Sequence, residues 1–201
     1  MSTAERTAVV VVTWNKRERV RDCLRSLEAL EGGGFDVFVV DNASTDGTAE
    51  MIGRGFPGVE VLANAENLGG AGGFNTGMQH GLERGYGLIW LLDNDVTVEP
   101  GALDALRRVM AREAECGVVG SKIYAAGTGL AFIQELGSFI EWAHAGIRLN
   151  RNGVFDQGRI GETVEVDYVP ACSMLVRASA VEGLELFDPS YFLYWDDIDF
   201  C

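Results

Sequence analysis

Residues 88–100 read LIWLLDNDVTVEP: a run of large apolar side chains gives way at once to Asp93, Asn94 and Asp95. An apolar run of this length, bounded by turn residues, predicts a buried strand. Residues two apart in an extended segment point to one side, so Asp93 and Asp95 would share a face. Two readings stay open on these residues alone. One is an Asx-type turn closing a strand. The other is a carboxylate pair offered to Mg²⁺ or Mn²⁺, ions commonly held by one or two carboxylates plus substrate phosphates. An EF-hand loop fits poorly, because DNDVTVEPG lacks the required glycine and distal glutamate.

Working outward, residues 8–13, 35–40 and 59–62 are further short apolar runs, each predicted to be a buried strand, and 118–124 is predicted as a fifth. Helices are predicted between them over 16–30, 46–53, 74–84 and 102–112. Val20, Leu24 and Leu27 mark the buried face of the first, and Phe74, Met78 and Leu82 that of the third. Pro100 stands where the last begins. This βα alternation predicts an α/β fold whose mostly parallel sheet has helices on both faces. Ligands of such sheets bind beyond the carboxyl ends of the strands, which sets residues 13–15, 41–46 and 93–95 along one rim. After about Gly127 the alternation stops. Residues 132–149 mix aromatic and polar side chains, 151–161 read as a loop, and 164–168 and 172–176 as strands.

The chain of 201 residues carries a formal charge of −14, and Lys16 and Lys122 are its two lysines. Without a basic stripe to displace counterions, a nucleic-acid partner is excluded. Cys23, Cys116, Cys172 and Cys201 form no CxxC pair, so structural zinc is unsupported and a reduced, cytoplasmic setting is expected. No apolar run approaches the ~20 residues of a spanning helix. Peripheral association with the inner face of a plasma membrane is left open. His80 is read as a helix-surface residue, and the four tryptophans as mostly core.

Three further stretches point to chemistry. In VVDNASTDGT (39–48), Asp46-Gly47 is turn chemistry, but Asp41 at a strand's carboxyl end suits hydrogen bonds from a base or ribose. In ENLGGAGGFNTG (66–77) clustered glycines precede a helix, where bare backbone and the helix N-terminus favour a phosphate; the competing reading is a flexible loop. Neither a dinucleotide fingerprint nor a P-loop is present. In FLYWDDIDF (192–200), Asp196, Asp197 and Asp199 lie among large apolar residues, which raise a carboxylate toward base strength. Trp195 beside them could stack on a sugar.

Together, VVVVTWNKRERVRDCLRSL, VVDNASTDGT, the asparagine-glycine stretch, DND and WDDIDF resemble, in order, the family 2 glycosyltransferases, inverting enzymes of the GT-A nucleotide-diphospho-sugar transferase fold. NLGGAGGFN is most similar to bacterial rhamnosyl- and galactofuranosyltransferases of cell-surface polysaccharide synthesis. The resemblance implies a donor half over 1–126 and an acceptor half over 127–201 of one domain. It implies a UDP- or dTDP-sugar donor, a glycan or polyprenyl-linked acceptor, and Mg²⁺ or Mn²⁺ as cofactor. Thr13, Asn15 and Asp41 would contact the nucleotide, and Asn67, Gly69, Gly70 and Asn75 would line the ribose and diphosphate. Asp95 would ligate the metal, with Asp93 on the ribose or a metal-bound water. Asp197 takes the place of the general base and Asp196 that of its supporting acid. Trp14 stands where a smaller aromatic or Arg is commoner. The abrupt WDDIDFC ending predicts a fragment of a longer protein. A nucleotidyltransferase and a catalytically inactive sugar-nucleotide or glycan-binding module are the competing functions; the former lacks its glycine- and arginine-containing loop after the first strand.

Overall fold

Strand β1 (Thr7–Thr13) is buried along its whole length and divides the core in two. Ala8, Val10 and Val12 face one apolar layer, and Val9 and Val11 the other, as the two-residue period of a strand requires. The computed structural model describes residues 6–129, 132–144, 146–150, 153–156, 161 and 163–201. Around β1 lie β2 (Phe35–Asp41), β3 (Val59–Ala63), β4 (Leu88–Asp93), β5 (Val118–Gly120) and β11 (Ser173–Arg177), in the sheet order β3-β2-β1-β4-β11-β5. Strands β1 to β4 are parallel, and β11 runs antiparallel to both β4 and β5. The sheet is therefore mixed but mostly parallel, and the expected α/β class holds.

Helices α1 (Arg17–Glu28), α2 (Thr48–Gly55) and α4 (Ala102–Arg112) cover one face through Leu24, Ile52 and Leu103. Helix α3 (Gly69–Glu83) covers the other through Ala71, Phe74 and Met78, joined by Phe187. The short helices α5 (Ala178–Val181) and α6 (Asp196–Phe200) add Val181 and Phe200 to that layer. A small sheet of order β10-β7-β6 and a hairpin of β8 and β9 sit outside the main sheet. They comprise β6 (Ile123–Tyr124), β7 (Phe132–Glu135), β8 (Ser138–Glu141), β9 (Gly146–Leu149) and β10 (Val154–Phe155).

Several boundaries differ from the sequence reading. The run 118–124 is two strands in two sheets, β5 and β6, separated at Ser121 and Lys122. Residues 164–168 make no strand; Tyr168 alone bridges to Ser138. Part of the predicted loop 151–161 is β10, and residues 151, 152 and 157–160 lie outside the described residues. Trp90 is fully buried, but Trp14, Trp142 and Trp195 are exposed. His80 is not a surface residue: it packs edge-on against Phe38 at 4.8 Å, with a mostly covered side chain.

The largest departure is the glycine-rich stretch, which is helix from Gly69 onward. Gly69, Gly73, Gly77 and Gly81 recur every four residues, so they form one line along α3. A Cβ at Gly73 would sit 2.5 Å from Val12 Cγ1, and one at Gly77 2.2 Å from Val10 Cγ1. The missing side chains let α3 lie directly on the valines of β1.

Candidate active site

The carboxyl ends of β1, β2 and β4 bring Thr13, Asp41 and Asp93 to one rim. The loops beyond β1 and β2 are locked together by polar contacts. Asn15 Oδ1 accepts the Thr45 N–H at 2.7 Å, and Asn15 N–H donates to Ser44 Oγ at 2.9 Å. Asp41, itself buried, accepts the Ser44 N–H at 3.1 Å. Asp46 serves the N-termini of two helices, accepting from Arg17 N–H of α1 at 3.0 Å and from Thr48 N–H of α2 at 3.1 Å. Burial pushes the Asp46 carboxyl up, and a hydrogen bond from the Thr48 hydroxyl together with these backbone donors more than offsets it, leaving it below the ordinary value. The Thr13 hydroxyl is buried with no hydrogen-bond partner among the described residues. A buried polar atom without a partner is uncommon and marks a position that a ligand or water completes.

A polar chain that sequence reasoning missed lies beneath the rim. Thr76 Oγ1 donates to Asn64 Oδ1, Asn64 Nδ2 to Asn42 Oδ1, and Asn42 Nδ2 to the Gly69 carbonyl at 2.8 Å. Asn42 stands beside Asp41 in the motif, and that adjacency was the available signal. The glycine backbone is engaged too. Gly69 N–H donates to Asn67 Oδ1 at 3.0 Å and Gly70 N–H to the Phe192 carbonyl at 2.7 Å. These two donors, expected to face a diphosphate, are thus occupied within the chain. Gly69 has φ +72° and a Cβ there would meet the Phe192 carbonyl at 2.1 Å, so this position admits no side chain. Asn75 is turned to residue 187 and not toward the rim.

The second face of the site is the segment before α6. Phe192, Tyr194 and Trp195 all have positive φ, and the two other non-glycine residues of this kind among the described residues, Asn15 and Ala43, lie on the rim loops. Left-handed backbone costs a side-chain-bearing residue energy, and it clusters here at the ends of the strands. This segment brings buried Asp196 beside Gly70. Asp197 accepts the Ala171 N–H at 3.3 Å.

Asp93, Asp95, Asp196 and Asp197 thereby share one electrostatic environment. Burial, and then the charges of Asp95, Asp196 and Asp197, push the Asp93 carboxyl up to about 6. Burial raises Asp196, and raises Asp197 with a further contribution from Asp196. Glu135 of β7, which sequence reasoning did not single out, belongs to the same group. It accepts from Tyr168 Oη at 3.3 Å, and burial with the Asp197 charge raises it. Asn94 fixes the turn between the first two carboxylates, donating to the Val12 carbonyl at 2.9 Å. Turn chemistry and carboxylate presentation therefore coexist in DND. Cys23 beneath it is held as a thiol, its pKa pushed up to about 12 by burial, then by Asp93 and Asp95.

No group of three or more His, Cys, Asp and Glu side chains among the described residues is arranged to grip a metal alone. The donor set nonetheless fits a hard cation. It offers carboxylate oxygens in uncompensated like-charge proximity, and such ions take the rest of their shell from phosphates and water.

The model of the "Glycosyl transferase family 2" matches residues 8–183, which include Thr13, Asp41, Asp93 and Asp95 of the rim and end before the segment that carries Asp196 and Asp197. This chain belongs to that family. The family 2 chain is 30% identical over 207 residues to N-acetylglucosaminyl-diphospho-decaprenol L-rhamnosyltransferase of Mycobacterium tuberculosis, covering 95% of this chain and 67% of the relative. It is 36% identical over 96 residues to galactofuranosyltransferase GlfT1 of Mycolicibacterium smegmatis, covering 47% of this chain and 32% of that one. The fold matches that of mannosyltransferase PcManGT from Pyrobaculum calidifontis, described in complex with GDP-Man and Mn²⁺. There the TM-score is 0.67 and identity 18%, with 96% of this family 2 chain covered and 50% of that chain. The chain thus spans about half the length of that solved structure. No helix among the described residues is long and apolar enough to cross a membrane.

Proposed function

We propose that this chain is the donor-binding and catalytic core of an inverting, metal-dependent glycosyltransferase. It would move a sugar from a UDP- or dTDP-sugar to a glycan or polyprenyl-linked acceptor. The carrying observation is the convergence of Asp93, at the end of β4, with Asp196 and Asp197 of α6: burial first, and then the charges of Asp95, Asp196 and Asp197, push the Asp93 carboxyl up to about 6. Acids this close need a cation or a proton, and lysine is scarce in this chain.

In this reading residues 1–126 hold the donor and 127–201 face the acceptor. Thr13 and Asp41 receive the nucleoside, with Asn15 holding the loop around it. Asn67, Gly69 and Gly70 shape the donor floor by fixing the start of α3, and Asn75 fixes the segment behind it. Asp95 and Asp93 would hold Mg²⁺ or Mn²⁺. A divalent cation there supplies charge neutralisation for the donor diphosphate and for the leaving group. Asp197 takes the proton of the acceptor hydroxyl as its oxygen bonds to the anomeric carbon, and the bond to the nucleoside diphosphate breaks on the opposite side. One such in-line displacement inverts the anomeric centre. Asp196 keeps the pair in register, and Trp195, exposed next to them, offers a ring for the sugar.

The relatives support this reading through their names: one is a rhamnosyltransferase of a decaprenol-linked substrate, and the mannosyltransferase is described with GDP-Man and Mn²⁺. Calorimetry with UDP and dTDP tests it. Affinity should require Mn²⁺ or Mg²⁺ and be lost in Asp95→Ala. Equal affinity in the presence of EDTA would remove the metal from the mechanism. Metal-dependent binding without transfer to a lipid-linked acceptor would leave a binding module.

A further inference from the structure

A second polar concavity lies outside the rim, between α1 and α2, and the reaction proposed above makes no use of it. Its volume is about 390 Å³, and its walls carry Arg17, Arg21, Arg25 and Arg54, with Glu28 and Glu50. In a chain of net charge −14 with 16 lysines and arginines, four of those cations converge on one groove. Their placement follows from helix geometry. Arg17, Arg21 and Arg25 recur every four residues and form one line along α1, while Arg54 reaches in from the last turn of α2.

The neighbouring acids do not account for this line. Arg25 pairs with Asp22 at 3.9 Å, Arg54 with Glu50 at 2.7 Å, and Arg21 with Glu18, all with acid side chains more than 60% exposed. Exposed pairs within one helix contribute little and give way readily to a better acceptor. Arg21 also carries a buried Nε with no hydrogen-bond partner among the described residues. A guanidinium presents its donors as a planar fork that matches two oxygens of a phosphate, which lysine does not.

We infer that the groove between α1 and α2 is a phosphate-binding site, for a phosphate anion or a phosphate-bearing headgroup. Arg21 and Arg54 grip the oxygens from opposite walls, and Arg17 and Arg25 flank them. The floor adjoins the Asp46 contact that ties Arg17 to Thr48, so an occupant would brace the two loops that carry Asn15 and Asp41.

The test uses the chain in EDTA, so that the carboxylate rim recruits no phosphate through a metal. Inorganic phosphate and pyrophosphate are titrated by calorimetry at ionic strength matched with chloride. In parallel, the chain is sedimented with phosphatidylcholine vesicles with and without phosphatidylglycerol. Saturable binding of the free anions assigns a soluble phosphate ligand, and binding confined to phosphatidylglycerol vesicles assigns a lipid headgroup. In either case the double variant Arg21→Gln/Arg54→Gln should weaken binding roughly tenfold or more with an unchanged melting temperature. Should that variant melt early, Arg25→Gln, whose side chain is 65% exposed, provides the same comparison. Absence of saturable binding to every probe overturns the inference, as does binding that persists unchanged in the arginine variants.

Discussion

Asn75 brackets the backbone of Phe187. Its Nδ2 donates to the Phe187 carbonyl at 2.7 Å, and its Oδ1 accepts the Phe187 N–H at 2.9 Å. A single side chain on α3 thus replaces the strand that residue 187 lacks, and anchors the approach to Asp196.

Asn75→Ala should therefore act on stability and not on donor affinity. Two backbone groups lose their partners, a loss of about 1–3 kcal/mol. Urea denaturation should show the lower midpoint, and calorimetry an unchanged nucleotide affinity. A wild-type midpoint with lost nucleotide binding would instead return Asn75 to the donor site.

Two glycine-to-alanine changes should have opposite signs. Gly77→Ala forces a methyl group toward Val10, 2.2 Å away before relaxation, and should destabilise by about 1–3 kcal/mol. Gly53→Ala, inside α2 with open space around it, should stabilise by about 0.5–1 kcal/mol through helix propensity. Thermal melting of both variants checks the pair. Equal effects would mean that α3 does not rest on β1 through its glycines.

Asp93 makes the metal-free chain pH-sensitive in a defined direction. Its carboxyl titrates at about 6 when folded against an ordinary 3.8, so the folded state holds this proton more tightly. The resulting penalty is absent below 3.8, grows as pH rises, and is complete above about 6. Asp93→Asn should accordingly raise stability near neutral pH, by on the order of 3 kcal/mol at most, and the gain should vanish by about pH 4. Melting curves across that range, with EDTA present, measure it. A gain that grows toward acid pH would contradict the assignment.

Asp197→Asn should lower turnover by roughly 10²–10⁴, the contribution of a general base, and leave nucleotide affinity nearly unchanged. Glu135→Gln offers the contrast. Its carboxyl, on β7, feels the Asp197 charge, and near-normal turnover there with loss in Asp197→Asn assigns the proton to Asp197. The reverse pattern would move the base to Glu135.

The strands of the central sheet were legible because both of its faces are buried, so residues 8–12 and 88–92 read as unbroken apolar runs. Their carboxyl ends then placed Thr13, Asp41 and Asp93 on one rim. Helix α3 was misread at its start because glycine is a poor helix former and its stripe marks a face by absent side chains. The four-residue recurrence of Gly69, Gly73, Gly77 and Gly81 was the signal available. Strands such as β6 and β10 have two residues each, too few to show a period. The bracket between Asn75 and Phe187, 112 residues apart, is tertiary and left no local mark.

Strand β11 gives the order of assembly a constraint. It is the partner of β4 on the side away from β1, yet it follows β4 by 80 residues, from Asp93 to Ser173. Until the ribosome has released Ser173–Arg177, the emerging α/β half carries β4 with one open edge, and Ile89, Trp90, Leu91 and Leu92 of that strand are fully buried in the closed sheet. Open apolar edges invite pairing with other chains, and closing so long a loop is slow. Chains ending before Ser173 are accordingly expected to aggregate, whereas those reaching Arg177 can close the sheet. Synthesis past that strand, and not completion of the rim, is when this molecule first becomes safe in a crowded cell.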